Sequence, residues 1–456
     1  MRDGVRRGRD ADGGGRGAGS LLRAAVVGGG LAGCEAAWAL AERGVRVTLT
    51  EMRPAVRTPA HQTDLLAELV CSNSFKSVET TNAHGLLKAE LRLLGSLLLR
   101  CADEARVPGG AALAVDRTAF ARRATELVSG HPNVTLRREE ADDLPRPGVV
   151  ATGPLTSDRL ARAIERRLGA GALAFYDAIA PIVSAESLDR GRLFAASRYG
   201  KGGDDAYLNA PLDAAEYGAF VAALTAADRY QAHEFDGVPY FEGCLPVEEM
   251  AARGPDTLRF GPMKPVGLVD PATRRAPHAV VQLRREDRSG QMWNLVGFQT
   301  RLRTGEQQRV FRMIPGLERA EFLRHGSIHR NSYLNTPACL SPHLALKDAP
   351  DVLFAGQLTG IEGYTESLAT GLLAGLNLAR VLGGREPVLP PPETMLGALL
   401  VYLREAPPAA FQPMNANFGL LLPLADAPRD RNARKAALVE RALAAMRAFA
   451  GAIDAA

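Results

Sequence analysis

A glycine-rich turn between two strand-like runs constrains this 456-residue chain more than any other feature. Leu22-Arg-Ala-Ala-Val-Val27 has strand character, Gly28-Gly29-Gly30-Leu31-Ala32-Gly33 follows, and an apolar helical run continues to Arg43. Val45-Arg-Val-Thr-Leu-Thr-Glu51 is a second strand-like run closed by an acid. Strand, Gly-x-Gly-x-x-Gly turn, helix and strand together form the unit that cradles a dinucleotide. Gly28 permits the tight turn, Gly30 lets the backbone approach a pyrophosphate, and Gly33 lets the helix pack on the strand. The helix start adds free N–H groups and a positive dipole end, so Gly29, Leu31 and Ala32 join the three glycines as candidate cofactor contacts. Glu51 lies about 20 residues on, where an acid binds a ribose hydroxyl.

The far end of the chain specifies the dinucleotide. Asp351-Val-Leu-Phe-Ala-Gly-Gln357 reads as a strand ending in a small-residue turn, and Ser367 to Arg380 reads as a helix. Gly371 and Gly375, four residues apart, leave a groove along one face of that helix. A helix start here could aim its N–H groups at the pyrimidine oxygens of a flavin and stabilise the negative charge of its reduced form. Gly356, Gln357, Glu362 and Gly363 are therefore candidate flavin contacts. Gly153 joins them, at the end of the strand-like Val149-Val-Ala-Thr-Gly-Pro154. Two-part sites of this kind resemble FAD-binding proteins of the glutathione-reductase type. The expected fold class is α/β, a Rossmann-like FAD-binding domain interrupted by a smaller α+β insertion domain.

The length calls for two or three domains. Residues 1–20 are rich in Arg and Gly without an apolar core, and read as a disordered tail. Residues 21–197 alternate strands and helices as the first part of the FAD domain, with Asp116 a cap for the helical run Arg117 to Val128. Residues 198–326 change texture. Short extended pieces (Ala279–Leu283, Asn294–Phe298) sit among Pro and Gly breaks, as expected of the insertion. Residues 327–456 resume the FAD domain and end in an amphipathic helix from Arg429 to Ile453. No apolar run is long enough to cross a membrane. Five cysteines without a paired framework point to a reducing cytoplasm. A net charge of +4 permits a polyanionic partner without requiring one.

Cys71, in Glu68-Leu-Val-Cys-Ser-Asn-Ser74, and Cys244, in Tyr240-Phe-Glu-Gly-Cys-Leu-Pro246, occupy polar, loop-like settings. A thiolate is a strong nucleophile and can also carry protons. Cys34 and Cys101 fall in apolar helical runs and Cys339 in an irregular stretch, so these three read as structural; no metal-ligand spacing occurs. His61 and His329 lie in polar segments and are candidate acid–base or cofactor contacts. Lys264, between two prolines, suits a fixed contact to an anion. The run Arg284-Arg285-Glu286-Asp287-Arg288 reads as a solvated loop.

Several stretches together resemble the bacterial folate- and FAD-dependent tRNA uracil-5-methyltransferases, the TrmFO family. They are Val27–Gly33, Glu51-Met-Arg-Pro54, Glu68–Ser74, Ala151–Ser157, Tyr240–Pro246, Phe260-Gly-Pro-Met-Lys-Pro-Val-Gly267, Gly356–Tyr364 and Phe411-Gln-Pro-Met-Asn-Ala-Asn-Phe-Gly-Leu420. The resemblance implies a cytoplasmic enzyme that forms 5-methyluridine in the T-loop of tRNA. It implies 5,10-methylenetetrahydrofolate as carbon donor and FAD, refilled by NADH or NADPH, as reductant. No membrane and no obligate protein partner are expected. Within that chemistry Cys71 is assigned the nucleophile's role and Cys244 the proton transfer, with the opposite assignment open. The same chemistry on a ribosomal RNA uridine remains an alternative, as does an NAD(P)H-dependent flavin oxidoreductase that does not act on RNA. A related flavoprotein family that modifies the wobble uridine carries a long C-terminal helical domain, for which this chain ends too soon.

Overall fold

A computed structural model describes residues 22–58, 60–169, 172–200, 206–230, 245–287 and 289–455. The expected tail, Cys244 and its neighbours Glu242 and Gly243 lie outside these residues. Strand β1 (Arg23–Val27), helix α1 (Leu31–Ala41) and strand β2 (Arg46–Glu51) form the unit read from the glycine pattern. They lie in a six-stranded sheet whose parallel strands run, in spatial order, Ala349–Phe354, Gly148–Val150, β1, β2 and Val134–Arg138. Ala345–Leu346 adds an antiparallel edge. The C-terminal half of the chain thus enters the same sheet as the N-terminal half. One apolar core joins them, with Val26, Leu40 and Leu49 packed in the same cluster as Phe354, Leu372 and Leu399.

The grooved face of the late helix (Tyr364–Leu382) receives α1. A Cβ on Gly371 would stand 2.6 Å from the Ala32 Cα, and one on Gly375 would stand 2.9 Å from the Ala36 Cα. Those glycines therefore serve helix–helix contact. Asp116 caps the helix Arg117–Gly130 by accepting from the Ala119 N–H at 2.9 Å. The final helix runs Arg431–Ala455.

A second six-stranded sheet is antiparallel throughout its pairings and has its own core around Phe220, Val281, Trp293, Phe298 and Phe311. Its strands run from Ile182 to Arg324, so Ile182–Ser184 and Phe194–Ala195, which precede residue 198, belong to it. Runs of two or three residues are too short to show the alternation by which a strand is recognised. The antiparallel pair Ala172–Ile179 and Ser327–Leu334 joins the two bodies, and in it the backbone of His329 pairs with Asp177.

Candidate functional site

At the start of α1 the three pattern glycines have different duties. Gly28 has φ +102°, and a Cβ there would stand 2.6 Å from the Ala151 carbonyl oxygen. Gly33 packs α1 so closely on the turn that a Cβ would run into the Gly28 carbonyl. Gly30 caps α1, and a Cβ built on it meets nothing within 4 Å. Gly153, with φ +67°, faces equally open space. Gly29 serves the protein's own interior, since its N–H donates to Glu51 Oε2 at 2.9 Å. Ala32 packs its side chain toward Gly356 and its backbone against Gly371.

Glu51 is buried, and its Oε1 accepts from the Arg53 N–H at 3.0 Å and from Arg53 Nε at 2.7 Å. Burial would raise this carboxyl, but the Arg53 hydrogen bonds and charge, with the Gly29 N–H, outweigh it and hold the pKa below the ordinary value. Arg53, also buried, reaches Glu68 at 2.8 Å with its other arm. Arg53 is not among the residues expected from sequence at this site; its signals there are its place two positions after Glu51 and its membership of the Glu51-Met-Arg-Pro54 stretch. A cleft of about 550 Å3 opens above this triad, lined by Gly28, Gly30, Glu51, Arg53, His61 and Ser157 among others. Burial, then the Arg53 charge, pushes the His61 imidazole down to about 4 despite Glu68 and Glu51, so it lines the cleft uncharged. Its Nδ1 lies 2.8 Å from the Thr58 hydroxyl.

The second segment lies at the turn before Tyr364–Leu382. Gly356 has φ +75° and its N–H donates to Thr370 Oγ1 at 2.9 Å. The Gln357 amide donates to Glu362, which is buried. Gly363, with φ +124°, opens the helix, and no side chain caps that first turn. Residues Phe411–Leu420 brace this turn. The Met414 N–H donates to the Gly360 carbonyl at 3.1 Å, and the Met414 carbonyl accepts from the Glu362 N–H at 2.8 Å. The Phe411 ring fills the space over Gly360, and the Ala416 N–H donates to Glu366 at 2.9 Å.

Cys71 sits half-buried in a loop pinned from three directions. Its N–H and that of Ser72 both donate to the Tyr364 hydroxyl at 2.9 Å. Burial, and then the nearby Cys71, raises the Tyr364 pKa, keeping the hydroxyl protonated. Arg117 donates to the carbonyls of Leu69 at 2.7 Å and Cys71 at 3.2 Å, and pairs with Glu286 at 2.6 Å. Arg324 donates to the Val70 carbonyl at 2.9 Å, while Asn73 bonds both Arg284 and the Arg285 carbonyl. The run containing Arg284, Glu286 and Asp287 is thus buried against the FAD domain, correcting its reading as a solvated loop. The reason is position, because the strand Ala279–Arg285 ends at the interface. A cleft of about 800 Å3, lined by Leu69, Arg117, Glu286 and Arg324, lies against the Cys71 loop between the two bodies. Cys34 and Cys101 are fully buried, and burial first of all raises both thiols, in keeping with a structural role. Lys264 is exposed. No cluster of metal-ligating side chains occurs among the described residues, and no helix among them is long and apolar enough to cross a membrane.

The sheet order, the two-part glycine site and the helix pairing define an FAD-binding α/β protein of the glutathione-reductase type. The family model "Glucose inhibited division protein A" matches residues 23–386. The solved structure of Aquifex aeolicus GidA superposes with a TM-score of 0.68 at 17% identity, covering 94% of this chain and 74% of that one. That likeness concerns the fold. Sequence relatives are far nearer. A protein of Geobacter sulfurreducens named methylenetetrahydrofolate–tRNA-(uracil-5-)-methyltransferase TrmFO is 57% identical over 421 residues, 92% of this chain and 96% of the relative. A protein of the same name from Moorella thermoacetica is 56% identical over 420 residues, again 92% and 96%. The chain belongs to the TrmFO family.

Proposed function

We propose that this protein methylates C5 of a uridine in the T-loop of tRNA, with 5,10-methylenetetrahydrofolate as carbon donor and FAD, refilled by NADH or NADPH, as reductant. The observation that carries the reading is the placement of Cys71. A free thiol outside the core has its loop held by Tyr364, in the first turn of the helix that follows Gly363, and by arginines from both bodies.

The residues present fit FAD. Gly30 and Gly153 face open space that a side chain would fill, beside the cleft carrying Glu51. In this reading Gly28 to Gly33 take the pyrophosphate and Glu51 the ribose. Gly356, Gln357, Glu362 and Gly363 take the flavin side, where the uncapped helix start supplies N–H groups. When bound, the flavin supplies the reducing equivalent that a methylene carbon needs to become a methyl.

Uracil C5 is a poor nucleophile until a group adds at C6, and the Cys71 thiolate makes that bond. Addition at C6 makes C5 nucleophilic, and C5 bonds to the donor's one-carbon unit. Cys244 then takes the C5 proton as that carbon's bond to nitrogen breaks, its electron pair going to the nitrogen, which leaves a methylene on C5. Addition of a hydride to the methylene carbon gives the methyl, and the Cys71 sulfur departs from C6 with its bonding pair as the C5–C6 double bond returns. Tyr364, Arg117 and Arg324 keep the Cys71 backbone from moving during this sequence, which preserves the reacting geometry. A base inside a folded T-loop must be turned out to reach the thiol.

The test is methyl transfer by Cys71→Ala and Cys244→Ala, each checked for bound flavin. Both should retain FAD and lose methylation by several orders of magnitude. Full methyl transfer by both would rule out the thiol scheme.

A further inference from the structure

The insertion domain carries an exposed loop that the site described above does not use. Phe260 is 82% exposed, Tyr199 69% and Val266 50%, in a protein whose large apolar side chains are otherwise mostly buried. They belong to one surface. The Tyr199 N–H donates to the Gly267 carbonyl at 3.0 Å, and the Tyr199 ring lies over Gly267, where a Cβ would stand 2.9 Å from its Cζ. Arg198 donates to the Val266 carbonyl at 2.8 Å. Lys264 projects from the same loop, and Arg274 and Arg275 from the turn that follows it; all three are exposed. Among the described residues the nearby acids are already engaged: Asp256 pairs with Arg259 at 2.8 Å, and Asp270 is buried, accepting from Ala272 and Thr273. Aromatic faces interleaved with exposed cations are what a nucleic acid strand binds.

Two further observations favour that occupant. Tyr199 adopts φ +58°, a left-handed conformation that costs a tyrosine free energy, while its side chain stays exposed. The strand Ala279–Arg285 also measures the distance to the nucleophile. Its Val280 N–H donates to the Met263 carbonyl in the exposed loop, and its Arg285 carbonyl accepts from Asn73, two residues from Cys71. Five residues of antiparallel strand span about 17 Å. That separation is short enough for one folded RNA arm resting on the loop to present a turned-out nucleotide to Cys71.

We infer that Tyr199, Phe260, Val266, Lys264, Arg274 and Arg275 form a docking surface for the RNA substrate, in which the rings stack on exposed bases and the cations neutralise phosphates. The inference rests on the proposed RNA methyl transfer and extends it to a surface.

The experiment measures binding of unmodified tRNA to the FAD-loaded full chain across a salt series, with three variants. Tyr199→Gly relieves the backbone strain while removing the ring, so its melting temperature should hold or rise while tRNA affinity falls about tenfold. Phe260→Ala should lose about as much. The triple variant K264A/R274A/R275A should lower the slope of log affinity against log salt by about two to three units. NAD(P)H oxidation in the absence of RNA should not change in any of them. Unchanged tRNA affinity in all three variants would overturn the docking surface even if the wild type methylates tRNA. Conversion of a wild-type dimer to a monomer by Phe260→Ala, with tRNA affinity unchanged, would also overturn it and assign the patch to a second copy of the chain. A wild type that binds tRNA through this surface but methylates no RNA would instead contradict the proposed reaction.

Discussion

At the scale of single residues the account turns on carboxylates that hold structure from inside. Glu51 fixes the Gly29 N–H and half of the buried Arg53 guanidinium. Glu51→Ala leaves that guanidinium with Glu68 as its remaining carboxylate and should cost about 3 kcal/mol in urea unfolding, with loss of bound flavin absorbance. Glu90 accepts from the N–H groups of Met395 at 2.7 Å and Leu396 at 2.9 Å, capping a helix 305 residues away in sequence. Burial raises its pKa to about 8 from 4.5, so the folded state holds a proton that the unfolded chain releases. The Glu90 contribution to stability is therefore fully present below about pH 4.5 and is lost as pH rises toward 8. Glu90→Gln fixes the neutral form and should flatten the decline of melting temperature across that window; an unaltered slope would mean that the carboxylate is charged in the fold. Glu51 was legible in the sequence because it belongs to a local pattern. Glu90 was not, because its partners are brought to it only by folding.

Elements pair here through small residues. Helix α1 and the helix Tyr364–Leu382 approach so closely that Gly371→Ala would press a methyl on the Ala32 backbone. Over-packing of this kind typically costs 1–3 kcal/mol, and thermal unfolding of the variant should start earlier and release flavin at a lower temperature. Phe411→Ala would open a cavity over Gly360 and cost about 3 kcal/mol. Its expected signature is weaker FAD retention with little change in the insertion domain, read by flavin fluorescence during gradual unfolding. The strand–turn–helix units were legible because their periodicity is local and their glycines are unambiguous. Gly371 and Gly375 were legible as a groove but not as a helix seat, since nothing near them in sequence names α1. The short strands Ile182–Ser184 and Phe194–Ala195 were lost among turns for lack of length.

For the whole molecule, the decisive feature is that the insertion domain reaches the Cys71 loop through Glu286, Arg284 and Arg324. Arg117→Ala would release the Leu69 and Cys71 carbonyls and strand Glu286 at the interface. Alkylation of Cys71 by iodoacetamide should accelerate several-fold in that variant at constant flavin content; an unchanged rate would show that the clamp does not restrain the loop. None of this junction was readable beforehand, because it is made by residues such as Val70 and Arg324, 254 positions apart, and its charges resembled a solvated run. The reaction itself is the central claim. Its direct test is transfer of labelled carbon from methylenetetrahydrofolate to unmodified tRNA in the presence of FAD and NADPH, followed by nucleoside analysis. The account predicts label in T-loop 5-methyluridine; NADPH oxidation with no label in tRNA would contradict it.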